Sequence, residues 1–177
     1  MRSLFTLAYP QLAGPDAARI EALRRDHDPH ASLVAAHFTL VFGATRVGEA
    51  DYLAHVAAVA RAGRPLRFAC RYAMLGADDA GGGGRAYAWL VPDEGASALA
   101  RLHDALYRGP LARSLRLDIP FVPHVTLAAS PDRAAMKGLC DALNDKGLDI
   151  AGTVDALAVA ALEDGRLAEV ATFALGG

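Results

Sequence analysis

Two short stretches of the 177-residue chain place an imidazole and a hydroxyl two positions apart: AHFTLVFG, residues 36–43, and PHVTLAAS, residues 123–130. In an extended backbone, residues i and i+2 point to the same face. His37 and Thr39 therefore share one face, and Phe38, Leu40 and Phe42 are expected on the other. In the second stretch His124 and Thr126 share a face, against Val125 and Leu127. Only these two of the six histidines carry Thr at +2, and Leu follows both times. One such motif would read as a structural histidine on a strand. Two copies read as one composite site.

The chemistry such a set can do is proton transfer around a phosphodiester. A neutral imidazole takes a proton from an attacking water or hydroxyl, and a protonated one gives a proton to the leaving oxygen. Histidine suits both tasks because its ordinary pKa of ~6.5 lies near working pH. Each threonine hydroxyl can donate a hydrogen bond to a non-bridging phosphate oxygen, which holds the phosphorus between the two bases. No metal and no cofactor is called for.

The elements that must position these residues follow from periodicity and punctuation. Strands are expected at 3–9, 37–42, 66–75, 85–91, 124–129, 153–162 and 166–174, the last two joined by the turn signal EDG. Helices are expected at 16–27, with Ile20 and Leu23 on one face, and at 49–62, stopped by Gly63 and Pro65. A third is expected over 98–108, capped by Ser97, with Leu99, Leu102 and Leu106 inward. A fourth is expected to open at Ser130-Pro131 and carry the stripe Met136, Leu139, Cys140 and Leu143. The run DDAGGGG, 78–84, reads as a flexible hairpin tip rather than a phosphate loop, since no Lys-Ser/Thr follows it.

A unit of histidine strand, helix and strand pair occurs twice, over about 37–91 and 124–174. This implies a single bilobal, pseudo-symmetric α+β domain over 1–177. Its two antiparallel or mixed sheets should line a central cleft, with the helices outside.

AHFTL and PHVTL resemble the two signature motifs of the 2H phosphoesterases, which include the 2′-5′ RNA ligase-like proteins and the cyclic phosphodiesterases. The resemblance extends to the N-terminal strand, to FVPHVTL and to RAYAWLV. It implies metal-independent hydrolysis of 2′,3′-cyclic phosphates on nucleotides or RNA ends. It assigns acid–base roles to His37 and His124 and phosphate contacts to Thr39 and Thr126. Alternatives within its reach are a 2′-5′ phosphodiester hydrolase or RNA ligase-like enzyme, and a non-catalytic module that binds phosphorylated nucleotides or RNA ends. Ala128, Ala129 and Ser130 stand where many relatives of the ligase-like branch carry a basic residue, which weakens the expected grip on RNA.

Composition bounds the partners. Net charge is −2, too little positive charge for tight sequence-independent binding to long nucleic acid, so a cyclic nucleotide or an RNA terminus is the expected substrate. The chain is 53% hydrophobic and 21% charged, ordinary for a globular protein, and a monomer is expected. MRSLFTLAYP lacks the pattern of a signal peptide, no run suits a membrane span, and Cys70 and Cys140 read as core residues, so a cytoplasmic setting is expected.

Further candidates are Phe121 as a stacking surface, Arg85 as a phosphate contact and Tyr9 at the cleft edge. Trp89, on the same strand face as Arg85 and Tyr87, is read as core. Arg71 faces solvent or the cleft. His55 and His103 are read as surface or partly buried helix residues. The cluster RRDHDPH matches no zinc spacing.

Overall fold

The computed structural model describes residues 2–78 and 84–176. Both histidine stretches become strands, β3 (Phe38–Ala44) and β7 (Val125–Ser130), and these lie side by side at the centre of a seven-stranded sheet. β1 (Ser3–Ala8) flanks β3, followed outward by β9 (Ala156–Glu163) and β10 (Arg166–Ala174). β6 (Arg85–Val91) flanks β7, and β5 (Tyr72–Asp78) closes that edge. A second sheet has the order β2 (Gln11–Leu12), β8 (Ile150–Val154), β4 (Leu66–Cys70). Among the described residues every strand pairing is antiparallel. Helices α1 (Gly14–His27), α2 (Glu49–Ala62), α3 (Ala96–Leu106) and α4 (Arg133–Asp145) pack against the sheets, which makes the fold α+β. The strand pair that follows each histidine strand in sequence packs toward the other one: β5 and β6 sit on β7, while β9 and β10 reach β3 through β1.

The expected strand over 66–75 is two strands in two sheets. The break is Arg71, whose guanidinium leaves the ladder to pair with Asp93 at 2.8 Å, Glu94 at 2.8 Å and Asp149 at 3.2 Å. It lies in solvent, not in the cleft. Likewise 153–162 divides at Asp155, because β8 pairs with β4 while β9 pairs with β1. α3 is entered through Gly95 rather than capped by Ser97. Gly95 has φ 82°, and a Cβ there would lie 2.4 Å from the Arg67 carbonyl oxygen, so only glycine fits. α4 is capped by Asp132, whose carboxylate accepts the Ala135 N–H at 3.0 Å, while Ser130 ends β7. The EDG hairpin forms as expected, with positive φ at Asp164 and Gly165, the two-residue turn that suits strand twist. The DDAGGGG tip lies largely outside the described residues.

Phe42 does not join the core. The β1–β3 ladder slips between Leu4 and Leu7, so strict alternation fails. Leu40 and Val41 are both buried, and Phe42 turns outward, 44% exposed. The Tyr107 hydroxyl accepts the Phe42 N–H at 3.0 Å and so satisfies the bulged backbone. β7 slips at the corresponding place, and Leu127 and Ala128 are both buried. Below the bulges, Phe38 meets Phe68 of β4 edge-on at 5.1 Å, which joins the two sheets.

Candidate active site

β3 and β7 are paired only through Phe38 and Val125, whose side chains point into the core. One step to either side in that antiparallel register, His37 stands opposite Thr126 and Thr39 opposite His124. Alternation puts all four on the face away from the core. That face opens on one cleft with two halves. A cavity of about 400 Å³ is lined by His124, and one of about 310 Å³ by His37. Thr39, Thr126, Phe42 and Tyr87 line both, so the two hydroxyls stand between the two imidazoles.

The imidazoles are held alike. His37 Nδ1 lies 2.7 Å from the Ala35 carbonyl oxygen, and His124 Nδ1 lies 2.7 Å from the Val122 carbonyl oxygen. A carbonyl only accepts, so each Nδ1 carries the hydrogen and each Nε2 is the nitrogen suited to proton transfer. Both histidines sit one residue ahead of their strands, where the backbone can turn its own carbonyl back onto the ring.

The His124 half has an aromatic wall. Trp89 lies flat on His124, with ring centroids 4.0 Å apart and planes 17° apart, and Tyr87 continues the stack at 6.1 Å. Trp89 is thus part of the cleft and not of the core. It is seated against Gly76 of β5, where a Cβ would come within 2.2 Å of the indole. Opposite, Phe121 stacks on His103 at 3.8 Å and 15°. His103 is 6% exposed and lines the cavity, with Nδ1 3.0 Å from the Asp104 carboxylate. Arg116 lines the same half in a two-point ion pair with Asp118, at 2.8 and 2.5 Å.

The His37 half is more aliphatic and contains the buried Arg24. Burial holds the His37 imidazole below its ordinary pKa. The Ala35 hydrogen bond works against that shift, and the nearby Arg24 cation adds to it. His37 is therefore neutral at pH 7. Tyr9 touches its ring edge-on at 6.2 Å, and burial raises the Tyr9 phenol. Arg85 stands exposed at the outer end of β6 and lines neither half. In RRDHDPH the Asp28 carboxylate is taken by Arg24 at 3.1 Å, and among the described residues no three His, Cys, Asp or Glu side chains gather as a metal-ligand set.

Of the residues singled out in the sequence, His37, Thr39, His124, Thr126 and Phe121 line the cleft, and Tyr9 touches it through His37. Phe42, Trp89 and His103 were placed elsewhere by sequence. A signal existed for Trp89, since it shares a strand face with Arg85 and Tyr87. His103 carried one too, since it lies at helical spacing from Leu99 and Leu106, on the face expected to point inward.

Comparison with known proteins bears on the fold and the family. The chain is similar in structure to TT0787 of Thermus thermophilus, with TM-score 0.62 and 20% identity over 100% of this chain and 99% of that one. It is similar to E. coli LigT complexed with 3′-AMP, with TM-score 0.59 and 20% identity over 99% of both chains. It is also similar to Kluyveromyces marxianus Usb1 with uridine monophosphate, with TM-score 0.58 and 11% identity over 98% and 99%. No curated protein matches the sequence significantly. The family model described as the 2′-5′ RNA ligase superfamily matches residues 12–166. With that match over most of its length and with the paired histidine strands in place, the chain belongs to the 2′-5′ RNA ligase superfamily of 2H phosphoesterases.

Proposed function

We propose that the protein hydrolyses 2′,3′-cyclic phosphates, on nucleotides or on RNA ends, by a two-histidine acid–base mechanism that needs no metal. The observation that carries this reading is the square of His37, Thr126, Thr39 and His124 on one sheet face, with each imidazole locked through Nδ1. A cyclic phosphate between the threonines would receive a hydroxyl hydrogen bond from each side.

The asymmetry of the cleft orients the substrate. The aromatic half beside His124 suits a nucleobase, which favours flat stacking surfaces. Two of the similar proteins were crystallised with nucleotides, 3′-AMP and uridine monophosphate, in keeping with such a ligand. With the nucleoside on the His124 side, the leaving ribose oxygen lies there too. In-line displacement then brings water from the His37 side. His37 Nε2 takes a proton from water, and the water oxygen attacks phosphorus. The bond from phosphorus to one ribose oxygen breaks, and His124 Nε2 gives its proton to that oxygen. The product is a nucleoside 2′- or 3′-monophosphate, and the protons re-equilibrate with solvent.

The test is incubation of the purified protein in EDTA with the four nucleoside 2′,3′-cyclic monophosphates and with 2′-5′-linked dinucleotides, products being read by phosphorus NMR. Ring opening is expected, with kcat reduced ~100- to 10,000-fold in His37→Ala and in His124→Ala. Thr39→Val or Thr126→Val removes one hydrogen bond to a charged oxygen and is expected to cost ~10- to 100-fold. Turnover that survives both histidine substitutions would refute the mechanism. Cleavage of the dinucleotides alone would move the substrate to 2′-5′ linkages.

A further inference from the structure

α1 buries two residues, Ile20 and, one turn on, Arg24, which is 2% exposed. A leucine at 24 would give that face apolar burial without desolvating a charge, so the arginine is not explained by stability. Its hydrogen bonds supply the explanation. Nη2 donates to the Val34 carbonyl at 2.7 Å and to Asp28 at 3.1 Å, Nε donates to Asp28 at 3.2 Å, and Nη1 reaches Glu21 at 3.2 Å. Glu21 in turn accepts the Ala36 N–H at 2.8 Å, and Asp28 accepts the His30 N–H at 2.9 Å. The backbone is thus clamped at Val34 and at Ala36, on both sides of Ala35, whose carbonyl holds His37 Nδ1. The segment ahead of His124 is stiffened differently, by Pro120 and Pro123 with their fixed φ.

We propose that Arg24, with Glu21 and Asp28, is a positioning group for His37, fixing the 34–36 backbone so that the Ala35 carbonyl holds the imidazole in one tautomer and one orientation. The charged and titratable groups around that imidazole are Glu21 and Arg24 from α1, Asp28 and His30 from the following loop, and Tyr9 from the end of β1. Arg24 opposes the two carboxylates electrostatically at His37, so the cluster sets geometry without adding a large net charge beside the base.

The inference rests on the phosphodiesterase reading for its kinetic arm only. The experiment compares the full-length protein with Arg24→Lys and with the double variant Arg24→Met/Asp28→Asn, which removes the pair without stranding a buried carboxylate. Long-range proton–nitrogen NMR above neutral pH reads the tautomer of each histidine ring, with His124 as the internal reference. The double variant is expected to turn His37 from the single Nδ1–H form into a mixture and to leave His124 unchanged. Its kcat should fall ~100-fold, with KM within about threefold, as expected for a misplaced base. Arg24→Lys keeps the cation but reaches fewer acceptors, so a ~10-fold loss of kcat and a partial mixture are expected. If the double variant does not fold, Arg24→Lys decides alone. A His37 ring that stays in one tautomer, with kcat within threefold of wild type, overturns the proposal. If the wild-type protein cleaves no phosphodiester, the proposed function fails, while the tautomer readout still decides the positioning role.

Discussion

Trp89 lies flat on His124 at 4.0 Å, so the only tryptophan of the chain is a built-in probe of one of the two imidazoles. The indole face attracts the ring most strongly when the imidazole is protonated, which suits the donor role proposed for His124. An imidazolium also quenches indole emission. The fluorescence of the protein is therefore expected to fall on acidification as His124 gains its proton, and this step should vanish in His124→Gln. Trp89→Leu leaves the imidazole without its stacking partner, and kcat should drop about tenfold through lost orientation.

The seat of that indole is Gly76, and the substitution Gly76→Ala tests it. A methyl group there would sit 2.2 Å from the ring of Trp89, so the indole must leave. A destabilisation of about 1–3 kcal/mol is expected, as for overpacking, together with the kinetic defect of Trp89→Leu. Gly138 is the control. It lies inside α4 with nothing within 4 Å of an added Cβ, and Gly138→Ala should stabilise by about 0.5–1 kcal/mol with activity unchanged. Urea unfolding and steady-state kinetics on the two variants read both effects.

Burial, helped by Arg24, holds His37 below its ordinary pKa. Between the ordinary value of ~6.5 and that lowered value, the unfolded chain binds the proton and the folded chain does not. Stability therefore falls as pH drops through this window, and it stops falling, as far as His37 is concerned, below the lowered value. Urea unfolding on either side of the window should show a smaller loss in His37→Gln than in wild type. The same shift places the base limb of the kcat/KM profile below pH ~6.5. A limb above that value would contradict the lowered pKa of His37.

Tyr107 accepts the N–H that the β3 bulge exposes at Phe42. Tyr107→Phe keeps the ring, including its contact with His103 at 4.8 Å, and removes only the acceptor. An unsatisfied N–H is expected to cost about 1–3 kcal/mol in unfolding free energy. Because the bulge directs Phe42 into both halves of the cleft, KM should rise more than kcat falls. Equal, small changes in both would show that the bulge holds without the bond.

The spacing His-x-Thr was enough to place each imidazole beside its hydroxyl, because side-chain alternation along an extended chain is a local property of the backbone. The apolar stripe of α2 and the EDG turn were legible for the same reason: helical period and a two-residue turn depend on neighbours in sequence. Phe42 and Arg24 were not legible, and Trp89 was legible only as a member of the strand face it shares with Tyr87. Phe42 faces the cleft only because β3 slips against β1, and a slip is a property of two strands. Trp89 stacks on His124 only because Gly76 on the next strand leaves room for the indole. Arg24 is buried in a helix of largely polar composition because two of its acceptors, Asp28 and Val34, come from the segment that follows the helix and folds back over it. Most of all, the pairing of Phe38 with Val125 sets His37 opposite Thr126 and Thr39 opposite His124. The sequence alone determined two copies of a motif. Their meeting in one cleft was decided by a strand register between residues 87 positions apart, which no local pattern encodes.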